Sequence, residues 1–202
     1  MDSPQSAHSA AAKTALRDQV RAARRRRPPD ASAEVAAAVA EVALGWGPVR
    51  DAATVAAYVS VGSEPGTGLL LEALVAAGTR VVVPVVRPDR DLDWTVYTGP
   101  DDLAPAVRGL LEPSGPRLGV DAVRTADVVL APGLAVSPAG DRLGQGGGYY
   151  DRVLPRVPAQ TPVAIVLFDD EVGLDVPADP HDVRVGFVLT ASGVRRLGPL
   201  EG

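Results

Sequence analysis

Between Arg142 and Asp151 the chain reads Arg-Leu-Gly-Gln-Gly-Gly-Gly-Tyr-Tyr-Asp. These residue types suit the binding and neutralisation of a phosphate group. Gly144, Gly146, Gly147 and Gly148 have no Cβ, so the backbone can turn sharply and approach a ligand closely. Their N–H groups could line an anion cradle where a helix begins at Tyr149. Arg142 adds a planar, permanent cation, and Asp151 a carboxylate able to hold a metal ion that bridges phosphates. Glycine spacing alone does not separate this from an ordinary turn. The run matches neither Gly-x-x-x-x-Gly-Lys-Ser/Thr nor Gly-x-Gly-x-x-Gly, and paired tyrosines are more often packing residues. It is the joint occurrence of arginine, glycines, tyrosines and aspartate within ten positions that marks the segment.

The rest of the composition narrows the chemistry. Cysteine is absent, which excludes disulfides, thiolate metal sites and cysteine nucleophiles. The 25 acidic residues outweigh 20 basic ones for a net charge of −5, which argues against general polyanion binding and against nucleic acid as a partner. Only one basic residue, Lys13, is a lysine. With 202 residues, 46% of them apolar, and a mean hydropathy of +0.10, the chain reads as globular. The segment from Met1 to Ala12 lacks the basic-then-apolar order of a secretory signal. The longest apolar runs, such as Val128 to Leu134, fall short of the roughly 20 residues that span a bilayer. The expectation is a cytoplasmic protein with no membrane partner.

These side chains need elements to position them. Residues 1–10 read as a disordered tail and 11–198 as a single domain. Helical spacing of Leu16, Val20 and Ala23 predicts a helix over 10–27, ended by Pro28-Pro29. A second helix, capped by Asp30 or Ser32, runs to Leu44 and is closed by Gly45. Apolar runs predict strands at 54–60, 80–86, 128–130, 163–168 and 185–190, with an edge strand at 91–97 and a short helix over 68–77. Such alternation predicts an α/β fold with a parallel sheet covered on both faces. Ligands then bind beyond the carboxyl ends of the strands, which points to the loops after Ser60 and Leu130.

Pro132-Gly-Leu-Ala, followed by Gly140-Asp-Arg-Leu-Gly-Gln-Gly-Gly-Gly-Tyr-Tyr-Asp-Arg-Val-Leu154, resembles the signature of the 5-formyltetrahydrofolate cyclo-ligase family. Lys13-Thr-Ala-Leu-Arg17, Tyr58-Val-Ser-Val-Gly-Ser-Glu-Pro-Gly-Thr67 and Val176-Pro-Ala-Asp-Pro-His-Asp182 match further stretches in the right order. The resemblance implies a three-layer α/β/α fold with a mostly parallel sheet, similar to the NagB/RpiA/CoA-transferase-like fold. It also implies ATP- and Mg2+-dependent closure of 5-formyltetrahydrofolate to 5,10-methenyltetrahydrofolate. The expected partner is that folate, with or without a polyglutamate tail, and the expected state a monomer or weak homodimer.

Carried over residue by residue, the resemblance gives Lys13 and Arg17 to the ATP phosphates; four apart, they share a helix face. It gives Arg142, Leu143, Gly144, Gln145, Gly146, Gly147, Gly148 and Tyr149 to a segment shared by nucleotide and folate. Val59 and Glu64 are substrate contacts, Arg142 and Tyr150 the catalytic pair, Asp151 and Asp182 the magnesium carboxylates. His181 reads as a structural neighbour, Arg21 and Arg24 to Arg27 as a solvated basic face, and Trp46 and Trp94 as packing residues. Two positions depart from the family pattern: Val136-Ser137 stands where many members have Phe-Asp, and Gly186 where many have an acid. A non-catalytic folate- or nucleotide-binding relative is one alternative, but the retained charged residues favour activity. An acyl or CoA transferase is the other, and that chemistry does not require the Lys-x-x-Leu-Arg and Gly-Tyr-Tyr-Asp segments.

Overall fold

The Val-rich runs assemble into the centre of a seven-stranded sheet. The computed structural model describes residues 4–106, 111–179 and 182–198, with side chains from Ser9 onward. Its strands are β1 (Thr54–Ala56), β2 (Arg80–Val86), β3 (Leu92–Val96), β4 (Leu103–Pro105), β5 (Leu111–Pro113), β6 (Val128–Pro132), β7 (Ala135–Val136), β8 (Arg142–Leu143), β9 (Val163–Val166), β10 (Phe187–Thr190) and β11 (Gly193–Arg196). The helices are α1 (Pro4–Arg25), α2 (Pro29–Gly45), α3 (Gly47–Arg50), α4 (Gly68–Ala76) and α5 (Tyr149–Val153).

The main sheet runs β11-β10-β9-β6-β1-β2-β3. The pairs from β10 through β2 are parallel, while β3 and β11 close the edges antiparallel. Successive strand residues face opposite sides. Val55 and Ala57 pack with Leu70, Leu71 and Leu74 of α4 and Val39 and Ala43 of α2. Ala56, Val129 and Ile165 face Trp94, Val153 and Leu154 on the other side. The result is the expected α/β fold: a mostly parallel sheet with helices on both faces.

Several local expectations shift. Helix α1 begins at Pro4, so residues 4–10 belong to it rather than to a disordered tail. Ala7, Ala10, Ala11 and Ala12 favour helix strongly, and a proline in the first turn lacks only an N–H that would go unbonded anyway. Helix α2 starts at Pro29 with Pro28 as N-cap and no side-chain cap; neither Asp30 nor Ser32 caps it. Proline's fixed φ is already helical there, and Asp30 sits in the first turn, where the helix dipole favours it. Strand β1 stops at Ala56 rather than Ser60. Beyond its last rung, Ala57 N–H to Val82 C=O at 2.9 Å, Thr67 Oγ1 donates to the Tyr58 carbonyl at 2.7 Å and accepts the Ser60 N–H at 3.0 Å. These local bonds replace the ladder and turn the chain away from the sheet. Pro180 and His181 lie outside the described residues. Among the described residues no helix is long and apolar enough to cross a membrane.

Candidate active site

A cavity of about 420 Å3 opens beyond the carboxyl ends of β1 and β6, the size of a small-molecule site. Every residue assigned above to nucleotide, folate, metal or catalysis lines it: Lys13, Arg17, Val59, Glu64, the run from Arg142 to Asp151, and Asp182. The cations come from α1 and the glycine loop, and the acids from the loop after β1, β5, the start of α5 and the segment at Asp182. Pro84, Val86 and Leu92 supply apolar surface from β2 and β3.

The short β7–β8 hairpin, paired Ala135 to Leu143 and Val136 to Arg142, delivers Arg142 to the cavity. The loop then turns twice through left-handed backbone, at Gly146 (φ 95°) and Gly148 (φ 72°), before α5 begins. Arg142 Nη2 donates to Asp151 Oδ1 at 2.6 Å. Its Nε and the Tyr150 hydroxyl are buried and find no hydrogen-bond partner among the described residues. The Arg142 guanidinium stands 5.8 Å from the centre of the Tyr150 ring. Burial raises the Tyr150 phenol well above its ordinary pKa, with the Arg142 charge opposing, so it remains protonated and able to donate.

Lys13 Nζ donates to Asp179 Oδ2 at 2.6 Å and to Asp182 Oδ2 at 2.5 Å. Burial acts to lower the ammonium pKa, but the two carboxylates outweigh it and raise the pKa overall. Arg17 Nε donates to the Gly144 carbonyl at 2.9 Å; burial, then the neighbouring Arg21, lowers its pKa. Arg21 Nη2 donates to both the Gln145 carbonyl and Gln145 Oε1 at 2.9 Å. Gln145 Nε2 in turn donates to Glu64 Oε1 at 3.3 Å, while Val61 N–H donates to Glu64 Oε2 at 3.0 Å. A polar chain therefore runs from α1 through Gln145 to the 61–64 loop.

Asp151 and Asp182 both line the cavity, and among the described residues no group of three or more metal-type ligands occurs. Two carboxylates suit Mg2+, which takes few protein ligands and completes its shell with water and phosphate oxygens. The departures from the family pattern are accommodated locally. Ser137 Oγ donates to Asp141 Oδ2 at 2.8 Å, and Arg184 Nε to Asp141 Oδ1 at 2.8 Å. A side chain at Gly186 would meet open space.

Trp94 is fully buried and Trp46 packs on Phe187 with ring centroids 5.1 Å apart, so both are packing residues. The basic-face expectation holds for Arg25 and Arg26, which are exposed, and fails elsewhere. Arg24 is 2% exposed, its guanidinium paired with both oxygens of Glu171 at 2.7 Å. Arg27 lies 4.0 Å from the centre of the Phe168 ring and pairs with Asp170. Arg21 reaches the glycine loop, as above. Arg21, Arg24 and Asp179 are thus the positions that sequence reasoning missed. For the arginines the available signal was spacing, since Lys13, Arg17, Arg21 and Arg24 fall on one helical stripe.

A family model described as the 5-formyltetrahydrofolate cyclo-ligase family matches residues 9–191. The 5-formyltetrahydrofolate cyclo-ligase of Mycolicibacterium smegmatis is 45% identical over 158 residues, covering 75% of this chain and 81% of that protein. The Escherichia coli K12 enzyme of the same name is 32% identical over 181 residues, covering 87% and 98%. The solved structure of Aquifex aeolicus 5,10-methenyltetrahydrofolate synthetase superposes with a TM-score of 0.80 at 25% identity, covering 94% of this chain and 95% of that one. The synthetase of Mycoplasma pneumoniae shares the fold, with a TM-score of 0.71 at 22% identity over 89% and 98%.

Proposed function

The chain belongs to the 5-formyltetrahydrofolate cyclo-ligase family, and we propose that it closes 5-formyltetrahydrofolate to 5,10-methenyltetrahydrofolate, converting ATP to ADP and phosphate with Mg2+ bound. One observation carries this reading. The residues that suit phosphate, metal and folate line a single cavity, although they come from α1, the loop after β1, the glycine loop and the segment ending at Asp182.

The chemistry asks for what this cavity holds. An N-formyl group is a poor electrophile because its nitrogen donates into the carbonyl. Attack of the formyl oxygen on the γ-phosphorus breaks the bond to ADP and leaves an iminium-like carbon bearing phosphate. N10 of the same molecule then forms its bond to that carbon, gives up its proton, and the carbon–oxygen bond breaks as phosphate leaves. Ring closure is intramolecular, so holding both nitrogens in register supplies much of the rate. The protein need not provide a nucleophile; it positions the groups and neutralises charge.

Lys13, Arg17 and Arg142 are the cations for the nucleotide phosphates. Asp151 and Asp182 would hold Mg2+, which supplies further neutralisation when bound. The protonated Tyr150 hydroxyl, without a partner among the described residues, is a fixed donor for an oxygen that gains charge during transfer, beside the similarly unbonded Nε of Arg142. Glu64 and Val59 face the folate. The test is spectrophotometric. Pure folded protein with 5-formyltetrahydrofolate, ATP and Mg2+ should produce the methenyltetrahydrofolate absorbance, and none when ATP is omitted. No growth of that band in the complete mixture would overturn the reading.

A further inference from the structure

We propose that Arg24 is a positioning residue for the phosphate end of the cavity: it pins the C-terminal end of α1 and thereby sets where Lys13 and Arg17 stand. The inference rests on the reading of Lys13 and Arg17 as nucleotide contacts. Arg24 itself does not line the cavity.

Helix α1 has little apolar grip on the rest of the molecule. Among its described side chains only Val20 and Arg24 are buried. Val20 sits in a small cluster with Leu134, Ala135, Leu143 and Val176, against which the half-buried Leu16 of the same helix also packs. Arg24 supplies the helix's buried polar anchor, whereas the bonds of Lys13 and Arg17 are partly buried and those of Arg21 exposed. Its Nε and Nη2 donate to Glu171 Oε1 and Oε2 at 2.7 Å, and Nη2 also donates to the Gly133 carbonyl at 2.7 Å. Both side chains of the pair are nearly sealed, at 1% and 3% exposure. Glu171 is itself fixed, because Oε2 accepts the Phe168 N–H at 3.1 Å.

The anchor reaches the other half of the site. Gly133 precedes Leu134, whose N–H donates to the Leu143 carbonyl at 2.7 Å, and Leu143 follows Arg142. One guanidinium therefore ties the helix bearing Lys13 and Arg17 to the hairpin bearing Arg142. The lever is long: eleven residues at 1.5 Å each put Lys13 about 16 Å from Arg24 along the axis. A tilt of about 10° at the anchor would carry Lys13 about 3 Å, and misplacement of about 1 Å can cost a factor of about 100 in rate.

The variant Arg24→Met/Glu171→Leu tests this. It removes both buried charges together, so no lone charge remains, and keeps similar volume. Circular dichroism and Tm report the fold; steady-state kinetics report the site. The expected result is a folded protein whose KM for ATP rises about tenfold or more while the KM for 5-formyltetrahydrofolate stays within about twofold. A pair that serves stability alone would lower Tm and move neither KM, which would overturn the proposal, as would an equal rise in both. Should the double variant fail to fold, Arg24→Lys carries the same comparison, since it keeps the charge and loses the fork that holds Glu171 and the Gly133 carbonyl together. Lys13→Ala is measured alongside. If it raises the KM for ATP and the Arg24 variant does not, the positioning role falls and the nucleotide reading stands. If neither raises it, the nucleotide reading of α1 falls and the positioning role falls with it.

Discussion

Burial pushes the Glu64 carboxyl above its ordinary pKa range, and the Val61 N–H and Gln145 amide only partly offset that. A carboxyl whose folded pKa is raised stabilises the fold while protonated, below its unfolded pKa, and loses that contribution as pH rises through the folded value. Above that folded value the protein bears the cost of a charged, poorly solvated Glu64. Glu64→Gln, whose amide oxygen can still accept the Val61 N–H, should raise Tm by up to about 2–4 °C at pH 7. The gap should narrow as pH falls through the carboxylate range, while the KM for folate rises. Thermal denaturation of both proteins across that range, with kinetics at neutral pH, measures this; a variant less stable at pH 7 would contradict it. At this scale the sequence was informative where a motif grouped residues along the chain, as for Arg142 to Asp151. It was silent where a partner lies far away: Arg24 looks like one arginine in a basic run because Glu171 stands 147 positions on. Asp179 was passed over for a related reason, since only folding brings Lys13 to it.

Among the elements, the glycine loop turns on backbone geometry. Gly148 has φ 72° at the start of α5, and a Cβ there would meet nothing within 4 Å. Gly148→Ala therefore isolates conformation from crowding. The left-handed region costs a non-glycine residue about 1–2 kcal/mol, so Tm should fall by about 2–8 °C. The KM for ATP should rise as well, because Tyr149 and Asp151 follow directly; kinetics and melting on one preparation test both. The strongly patterned elements were legible: β2 is Arg80–Val86 as predicted, and α4 differs from expectation by one residue. Strand β1 was overextended because Tyr58 and Val59 are as apolar as the strand before them, yet serve the cavity wall. Strands β7 and β8, of two residues each, are too short to leave a period. Edge strand β11 carries Arg195 and Arg196, which give it no apolar run to read.

At the level of the whole molecule, the parallel sheet places the cavity where sheets of this kind bind ligands, beyond the carboxyl ends of the central strands. The walls come from segments distant in sequence, so a ligand spanning them cross-links the fold. ATP with Mg2+ at about 100 times its Kd should stabilise the protein by about 2.7 kcal/mol, or about 5–10 °C in Tm. Differential scanning calorimetry tests this, and no shift would count against a nucleotide site. The ion pairs of the cavity shape that measurement. Lys13 is held by Asp179 and Asp182, and Arg142 by Asp151, so these cations already have internal counter-ions. A bare anion must displace a carboxylate and leave it uncompensated. A nucleotide arriving with its metal offers an exchange instead, phosphates for the cations and Mg2+ for the displaced acids. Sulfate, phosphate or ATP in EDTA should therefore produce only a small part of the shift, and the site would tell complexed nucleotide from free anion before any chemistry begins.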